Sequence, residues 1–378
     1  MLQDPISFFL FPVIIGTYYL SIYPQDGLFI RQVASHCLQP APPPIITRRI
    51  SRGPENLCFW WRVGAPRAHH NQIDTIDVEN ENGRKRSMQR PAFAKRSVNP
   101  TVKTIPAPAE APIPRVGSPS ATINGSIWIF SGRGGIDMKP VEEQGALWRY
   151  EAGAANWSSV KPADPAAPYP AGRSYHCVAS DGKSKLFVHS GCPETGRLAD
   201  LWMFDTEERT WSELPSAPAP SRGGASIAYA DGKLYRVNGF DGINEQGGSL
   251  DVFDIPSLSW NTISYNPDNM EGPEARSVGT LLPVMIHGNV HLITMFGERD
   301  PSALGHAGAG KMLPDAWAWD IRERKWQKLK IPGQIPEPRG WFDADVVRGG
   351  DRNESIIVHG GLNENNERLG DIWKLGFD

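Results

Sequence analysis

Residues 201–211 read LWMFDTEERTW: an apolar stretch, a tight polar turn, and a second tryptophan nine residues after the first. The frame recurs at 147–157 (LWRYEAGAANW) and 316–326 (AWAWDIRERKW), and at 250–260 (LDVFDIPSLSW) with Asp251 in place of the first tryptophan. Nine residues fit the end of one short strand, a turn and the start of the next, so each copy predicts a hairpin. A shorter apolar run ending in glycine precedes each hairpin: SIWIFSG from Ser126, KLFVHSG from Lys185, KLYRVNG from Lys233 and HLITMFG from His291. A fifth copy, SIIVHGG from Ser355, leads to IWKL at Ile372.

Upstream of each run an arginine flanked by glycine, proline or small residues opens the unit: Arg115 (PRVGS), Arg173 (GRSYH), Arg222 (SRGGA), Arg276 (ARSVG) and Arg339 (PRGWF), at steps of 58, 49, 54 and 63 residues. Each unit therefore predicts a four-stranded antiparallel meander. One such sheet cannot bury both faces. Radial stacking buries the aromatics between neighbours and leaves only short edges, which is a β-propeller.

Composition agrees. Glycine (38) and proline (34) together exceed the usual share, as an all-β chain of many turns requires. The net charge of −3 offers no basic field for nucleic acid, but it averages two regions. Residues 1–100 carry 12 Lys and Arg against 7 Asp and Glu, and residues 101–378 carry 27 against 35. Four cysteines with no CxxC pair support neither a zinc site nor a disulfide framework.

The N-terminal 1–56 reads as an apolar run, Ile6 to Tyr23, followed by a proline-rich basic stretch at 39–52 with linker composition. The run has barely the length of a membrane span and contains Pro12 and Gly16. A cytoplasmic chain is the expectation, with membrane anchoring or secretion through 6–23 as the alternative; a non-native origin for this segment is a further one. Residues 57–105 read as a degenerate first unit or a linker, since LCFWWRV (57–63) and QIDTIDV (72–78) alternate like strands, while 80–96 is polar and basic. Residues 106–378 hold the five clear repeats, and the last lacks a fourth strand before Asp378, so the N-terminal side must close the ring.

The glycine-rich, tryptophan-spaced unit of about 50 residues resembles the kelch repeat. The resemblance implies a propeller of four-stranded blades, six with the degenerate first blade included; the alternative is five.

Antiparallel parity places the arginine openings and the strand-two-to-three loops on one side. The longest such loop, 297–315 (GERDPSALGHAGAGKMLPD), exceeds ordinary hairpin length and carries Glu298, Asp300 and His306. GHAGAGKM within it is not a phosphate loop: Met312 replaces the Mg²⁺-binding hydroxyl, and a strand follows where a helix is needed.

GERDPSALGHAGAG, then AWAWD, PRGWFDADVV and IIVHGGLNENNERLGDIW, looks like the plant nitrile-, epithio- and thiocyanate-forming specifier proteins and their fungal kelch relatives. That resemblance implies action on unstable glucosinolate aglucones and an Fe(II) held by Glu, Asp and Cys four residues apart. The corresponding positions are Glu298, Ser302 and His306; Glu298 matches, Ser302 and His306 depart, and Asp300 is a substitute carboxylate. Arg173, Arg222 and Arg276, with Arg115 and Arg339, are candidate anion-binding groups, or else fold-holding ones.

Two functions stay open: a specifier-like propeller that binds a small sulfur-containing anion at its mouth and steers its breakdown with Fe(II), or a non-catalytic module that docks a protein partner. His176, His189 and His359 lie in or beside strands and read as core groups.

Overall fold

The computed structural model describes residues 107–302, 308–347 and 354–377, together with seven strands between Tyr18 and Ile105. The chain divides into two compact units, Met1–Pro40 and Ala41–Asp378. In the first, Tyr18–Tyr23 pairs antiparallel with Gly27–Gln32, so the end of the apolar run is a strand. The remainder of that run lies outside the described residues, among which no helix is long and apolar enough to cross a membrane.

The second unit contains six four-stranded antiparallel sheets. Unit one comprises Ser120–Ile123, Ser126–Phe130, Leu147–Glu151 and Asn156–Val160; unit two comprises Cys177–Ser180, Lys185–Gly191, Leu198–Asp205 and Thr210–Leu214. Unit three holds Ser226–Ala230, Lys233–Val237, Ser249–Asp254 and Ser259–Ser264, and unit four Leu282–Ile286, Asn289–Met295, Ala316–Asp320 and Lys325–Lys328. Unit five takes three strands from the C-terminus, Asp343–Val347, Ser355–His359 and Ile372–Gly376, and its fourth, Ala92–Lys95, from upstream.

The remaining sheet joins Ile45–Ser51, Asn56–Arg62, Ile73–Asp77 and Val102–Ile105. First strands of successive sheets meet in a closed cycle, units one to five, then Ile45–Ser51, then unit one again. The predicted meander propeller is thus the observed architecture.

Two stretches expected to be linker contain strands. Ile45–Ser51 (IITRRIS) is rich in β-branched residues, a preference masked by its basic charge and the prolines before it. Ala92–Lys95 is recruited by pairing, because Ile372–Gly376 would otherwise present an open edge.

The core lies between sheets. Trp128, Phe130, Val188, Trp202 and Trp211 form a cluster joining units one and two, and Leu201, Leu234, Phe253 and Ile227 join two and three. The nine-residue spacing has a physical reason here: three outer-strand tryptophans, Trp211, Trp260 and Trp326, reach back to the preceding unit, while Trp157 packs on Ile127, Ile129 and Tyr150 of its own. Trp211 packs edge-on against Phe130 at 5.4 Å and donates its Nε1–H to the Gly145 carbonyl, 2.8 Å. Trp260 donates to the Pro215 carbonyl, 2.8 Å, and Trp326 meets Tyr265 at 6.0 Å.

The opening arginines are buried, 0–3% exposed, and each repeats one geometry. Nε donates to the carbonyl two residues back, and Nη1 to a carbonyl at the end of strand two, as Arg276 does to Glu274 and Phe296, 3.0 Å each. In four units a carboxylate before or within the first residues of strand three closes the fork: Arg115 with Glu143, Arg173 with Asp200, Arg276 with Asp315, Arg339 with Asp371. The same carboxylates accept the Nε1–H of Trp148, Trp202, Trp317 and Trp373.

Removing one partner of a buried pair strands the other charge, a loss of about 3 kcal/mol or more. We expect Asp315→Ala to lower stability by about 3 kcal/mol in urea denaturation, because Arg276 and the Trp317 indole both lose their acceptor. Asp300→Ala, at a mostly exposed side chain, serves as the near-neutral control.

Candidate functional site

The loop-side mouth is built from two rings of equivalent residues. The first lies two positions after each opening arginine: Gly117, Tyr175, Gly224, Val278 and Trp341, all with φ between 48° and 62°. Their backbones form a continuous chain. Tyr175 N–H donates to Gly117 C=O (2.8 Å), Gly224 to Tyr175 (2.8 Å), Val278 to Gly224 (2.9 Å) and Trp341 to Val278 (3.1 Å). Tyr175, Val278 and Trp341 are half-buried, so they give the rim an aromatic and apolar character.

The second ring is the residue after each strand-two glycine: Arg133, Cys192, Phe240, Glu298 and Leu362. Each forms a backbone bridge with the residue following an opening arginine, namely Val116, Ser174, Gly223, Ser277 and Gly340. Preceding it, Gly132, Gly191, Gly239, Gly297 and Gly361 have φ of 99–113°, open to glycine alone among common residues. A Cβ on Gly297 would lie 2.7 Å from the Ser277 carbonyl. The first four of these glycines donate to the carbonyl of the next unit's arginine, as Gly297 does to Arg339 at 2.8 Å, locking neighbouring units together.

Glu298 is 6% exposed, in a two-residue strand paired with Lys311–Met312. That strand confirms that Lys311 does not open a helix over a phosphate. Oε1 accepts from the Gly310 N–H at 2.5 Å. Burial pushes the carboxyl up to about 7. Beside it, Glu245 accepts from the Ser277 hydroxyl, 3.2 Å, and burial, with the negative charge of Glu298 adding to it, raises Glu245 to about 8. Sequence reading missed Glu245, which a short loop closed by a Phe240–Glu245 bridge brings to the same wall.

The other predicted ligands do not gather around Glu298 among the described residues. Asp300 is mostly exposed and ion-paired to Arg299 at 3.1 Å, Ser302 is half-buried, and His306 lies outside the described residues. No group of three His, Cys, Asp or Glu that could hold a metal occurs among the described residues. The donors present there do not by themselves form an iron site.

The five opening arginines also differ from the expectation of mouth-facing anion ligands. Arg115, Arg173, Arg276 and Arg339 have their forks closed by carboxylates of their own units. Arg222 is buried as well, with its Nε on Pro220 and Nη1 on Asn238 carbonyls. Nearer the mouth, Arg133 donates to Ser174 Oγ at 3.0 Å and to the Pro193 carbonyl at 3.1 Å. Arg197 lies over the Phe240 ring, and its buried Nε has no partner among the described residues. The arginines flank Cys192, where their charges oppose the upward push of burial on the thiol.

His176, His189 and His359 are buried and held neutral, His176 down to about 3 and His359 to about 4, chiefly by desolvation. They are core groups, as expected.

The two rings repeat one frame five times, and that frame carries a family profile: the KLHDC2/KLHL20/DRC7 kelch-repeats domain matches residues 85–297, more than half of the chain. The chain belongs to the kelch-repeat family. One relative of this kelch protein is N-(sulfonatooxy)prop-2-enimidothioate sulfolyase of Thlaspi arvense, 25% identical over 293 residues, spanning 71% of this chain and 79% of that protein. Adagio-like protein 3 of Oryza sativa subsp. japonica is 28% identical over 285 residues, 70% of this chain but 40% of the relative. N-acetylneuraminate epimerase of Pasteurella multocida (strain Pm70) is 26% identical over 244 residues, 52% of this chain and 58% of that protein.

Glu298 and Glu245 bind protons more tightly in the folded kelch domain than in the unfolded chain. Their contribution is therefore favourable at acid pH and is lost as pH rises through about 7 and 8. Unfolding free energy measured at pH 5 and pH 8 should fall with pH, and Glu298→Gln should remove on the order of 2 kcal/mol of that fall. An unchanged slope would show that Glu298 ionises as an ordinary carboxyl.

Proposed function

We propose that the mouth binds a small, anionic, sulfur-containing compound and steers its breakdown, for example to a nitrile. The observation that carries this reading is Glu298: a carboxylate buried in the mouth wall, raised to about 7, at the place where sister units put Arg133, Cys192, Phe240 and Leu362. A carboxyl poised near neutrality can give or take a proton within a binding site, which is what an elimination requires. Tyr175, Val278 and Trp341 supply the apolar rim, and Arg133 and Arg197, rather than the five opening arginines, supply positive charge for the anion.

The Thlaspi relative supports the substrate class, since its name describes a lyase acting on an N-sulfonatooxy imidothioate, an anion that contains sulfur. Glu298 would be one donor to an Fe(II) at this site and His306 a second.

A second reading, a non-catalytic interaction module, draws on Ile136 and Ile243. Both are fully or largely exposed on strand-two-to-three loops, in units one and three, at the same side as the mouth. A docking partner would cover them.

The readings separate in one experiment. The full chain and its Glu298→Ala variant are titrated with Fe(II), then incubated with a thioglucosidase and a glucosinolate, and the products are quantified. The specifier reading expects the wild type to bind iron and shift products toward nitrile, and the variant to lose roughly a hundredfold of that effect. Equal iron and equal product ratios in both proteins would overturn it and leave the interaction module.

A further inference from the structure

Unit three breaks the rule that its sisters obey. Register pairs Leu250 with Val237 as Leu201 pairs with His189, Ala316 with Met295 and Ile372 with His359. The residue before each is Asp200, Asp315 and Asp371 in units two, four and five, but Ser249 in unit three. The Arg222 fork is thus left without the carboxylate that closes the others, and no acceptor among the described residues takes its Nη2.

The next position departs too. Where the sisters place Trp148, Trp202, Trp317 and Trp373, unit three has Asp251, and opposite it stands Arg236 in the place of Ile129, Val188, Thr294 and Val358. Arg236 is 0% exposed and donates Nε and Nη2 to one oxygen of Asp251, at 3.0 and 2.6 Å; Thr262 holds the other oxygen at 2.6 Å. Arg236 Nη1 is buried with no partner among the described residues.

Both guanidiniums run along one segment. Arg236 Nη2 donates to the Pro218 carbonyl at 2.8 Å and Arg222 Nε to that of Pro220 at 3.2 Å, two residues on. Unit three therefore buries two cations with one buried carboxylate, the charge of Asp241 acting on Arg222 from the surface loop, where units one, two, four and five each close their arginine's fork with one carboxylate. The neighbouring charge of Arg236, added to burial, pushes Arg222 down to about 10. An unbalanced buried cation is costly unless an anion joins it.

We infer that unit three takes a small carboxylate from solution against Arg222 and Arg236, at the place that Asp200, Asp315 and Asp371 fill in the sister units. A carboxylate fits because the sister forks show that geometry: Arg173 meets Asp200 with two parallel bonds of 2.6 and 2.8 Å. Ser249, shorter than aspartate, leaves the acceptor position to the ligand. This site is independent of Glu298 and of any reaction at the mouth.

The test compares the melting temperature of the full chain near pH 7 as acetate replaces chloride at constant ionic strength, up to about 100 mM. Wild type should rise by about 3 °C. Ser249→Asp, which supplies the missing carboxylate internally, should melt higher without acetate and keep less than about a third of the shift. Arg222→Met should lose the shift without gaining the higher baseline. A wild-type shift no larger than that of Arg222→Met, or an undiminished shift in Ser249→Asp, would overturn the inference.

Discussion

Everything at the mouth depends on a buried arginine that spends its donors within its own unit. In units one, two, four and five the guanidinium ties the incoming link to the end of strand two and to a carboxylate at the start of strand three. That carboxylate also receives an indole N–H, so three elements converge on one side chain. The strand ends are then fixed, and the loops above them can vary in length and sequence without disturbing the sheets.

Locking between units uses different chemistry. A glycine with φ near 100° brings its N–H to the next arginine's carbonyl, while outer-strand tryptophans reach back over the preceding sheet. One side chain, the arginine, organises the unit; its backbone carbonyl joins it to its neighbour. The mouth wall follows from this geometry, because the residue just past the glycine has nowhere to go but the rim. Glu298 occupies such a place, which is why a carboxyl at that point of the sequence is both buried and raised toward neutrality.

Much of this was legible in sequence. The nine-residue tryptophan spacing and the arginine and glycine positions gave the meander, and the alternation at 57–63 and 72–78 was readable as strands of a further sheet. The arginines' task was less legible, since a cation in a glycine-rich turn reads equally as ligand or brace. The deciding signal was present as Asp-x-Trp at 200–202, 315–317 and 371–373, a carboxylate set to accept both a guanidinium and an indole. Glu245 could not be anticipated, because it reaches the wall through a loop bridge, and Ile45–Ser51 was hidden by charge and proline that outweigh β-branched residues in a composition reading.

The backbone chain through Gly117, Tyr175, Gly224, Val278 and Trp341 makes each rim position a socket defined by the main chain alone. Every socket is left-handed, so an L-residue costs about 1 kcal/mol there that glycine does not. Two sockets hold glycine, the relaxed occupant. Three hold a tyrosine, a branched valine and a tryptophan, residues poorly suited to that backbone. The two glycine sockets are also tight, since a Cβ on Gly117 would lie 3.0 Å from the Tyr175 nitrogen and one on Gly224 3.1 Å from Val278 Cγ1, so the rim's side chains are confined to the three sockets that bear the local penalty.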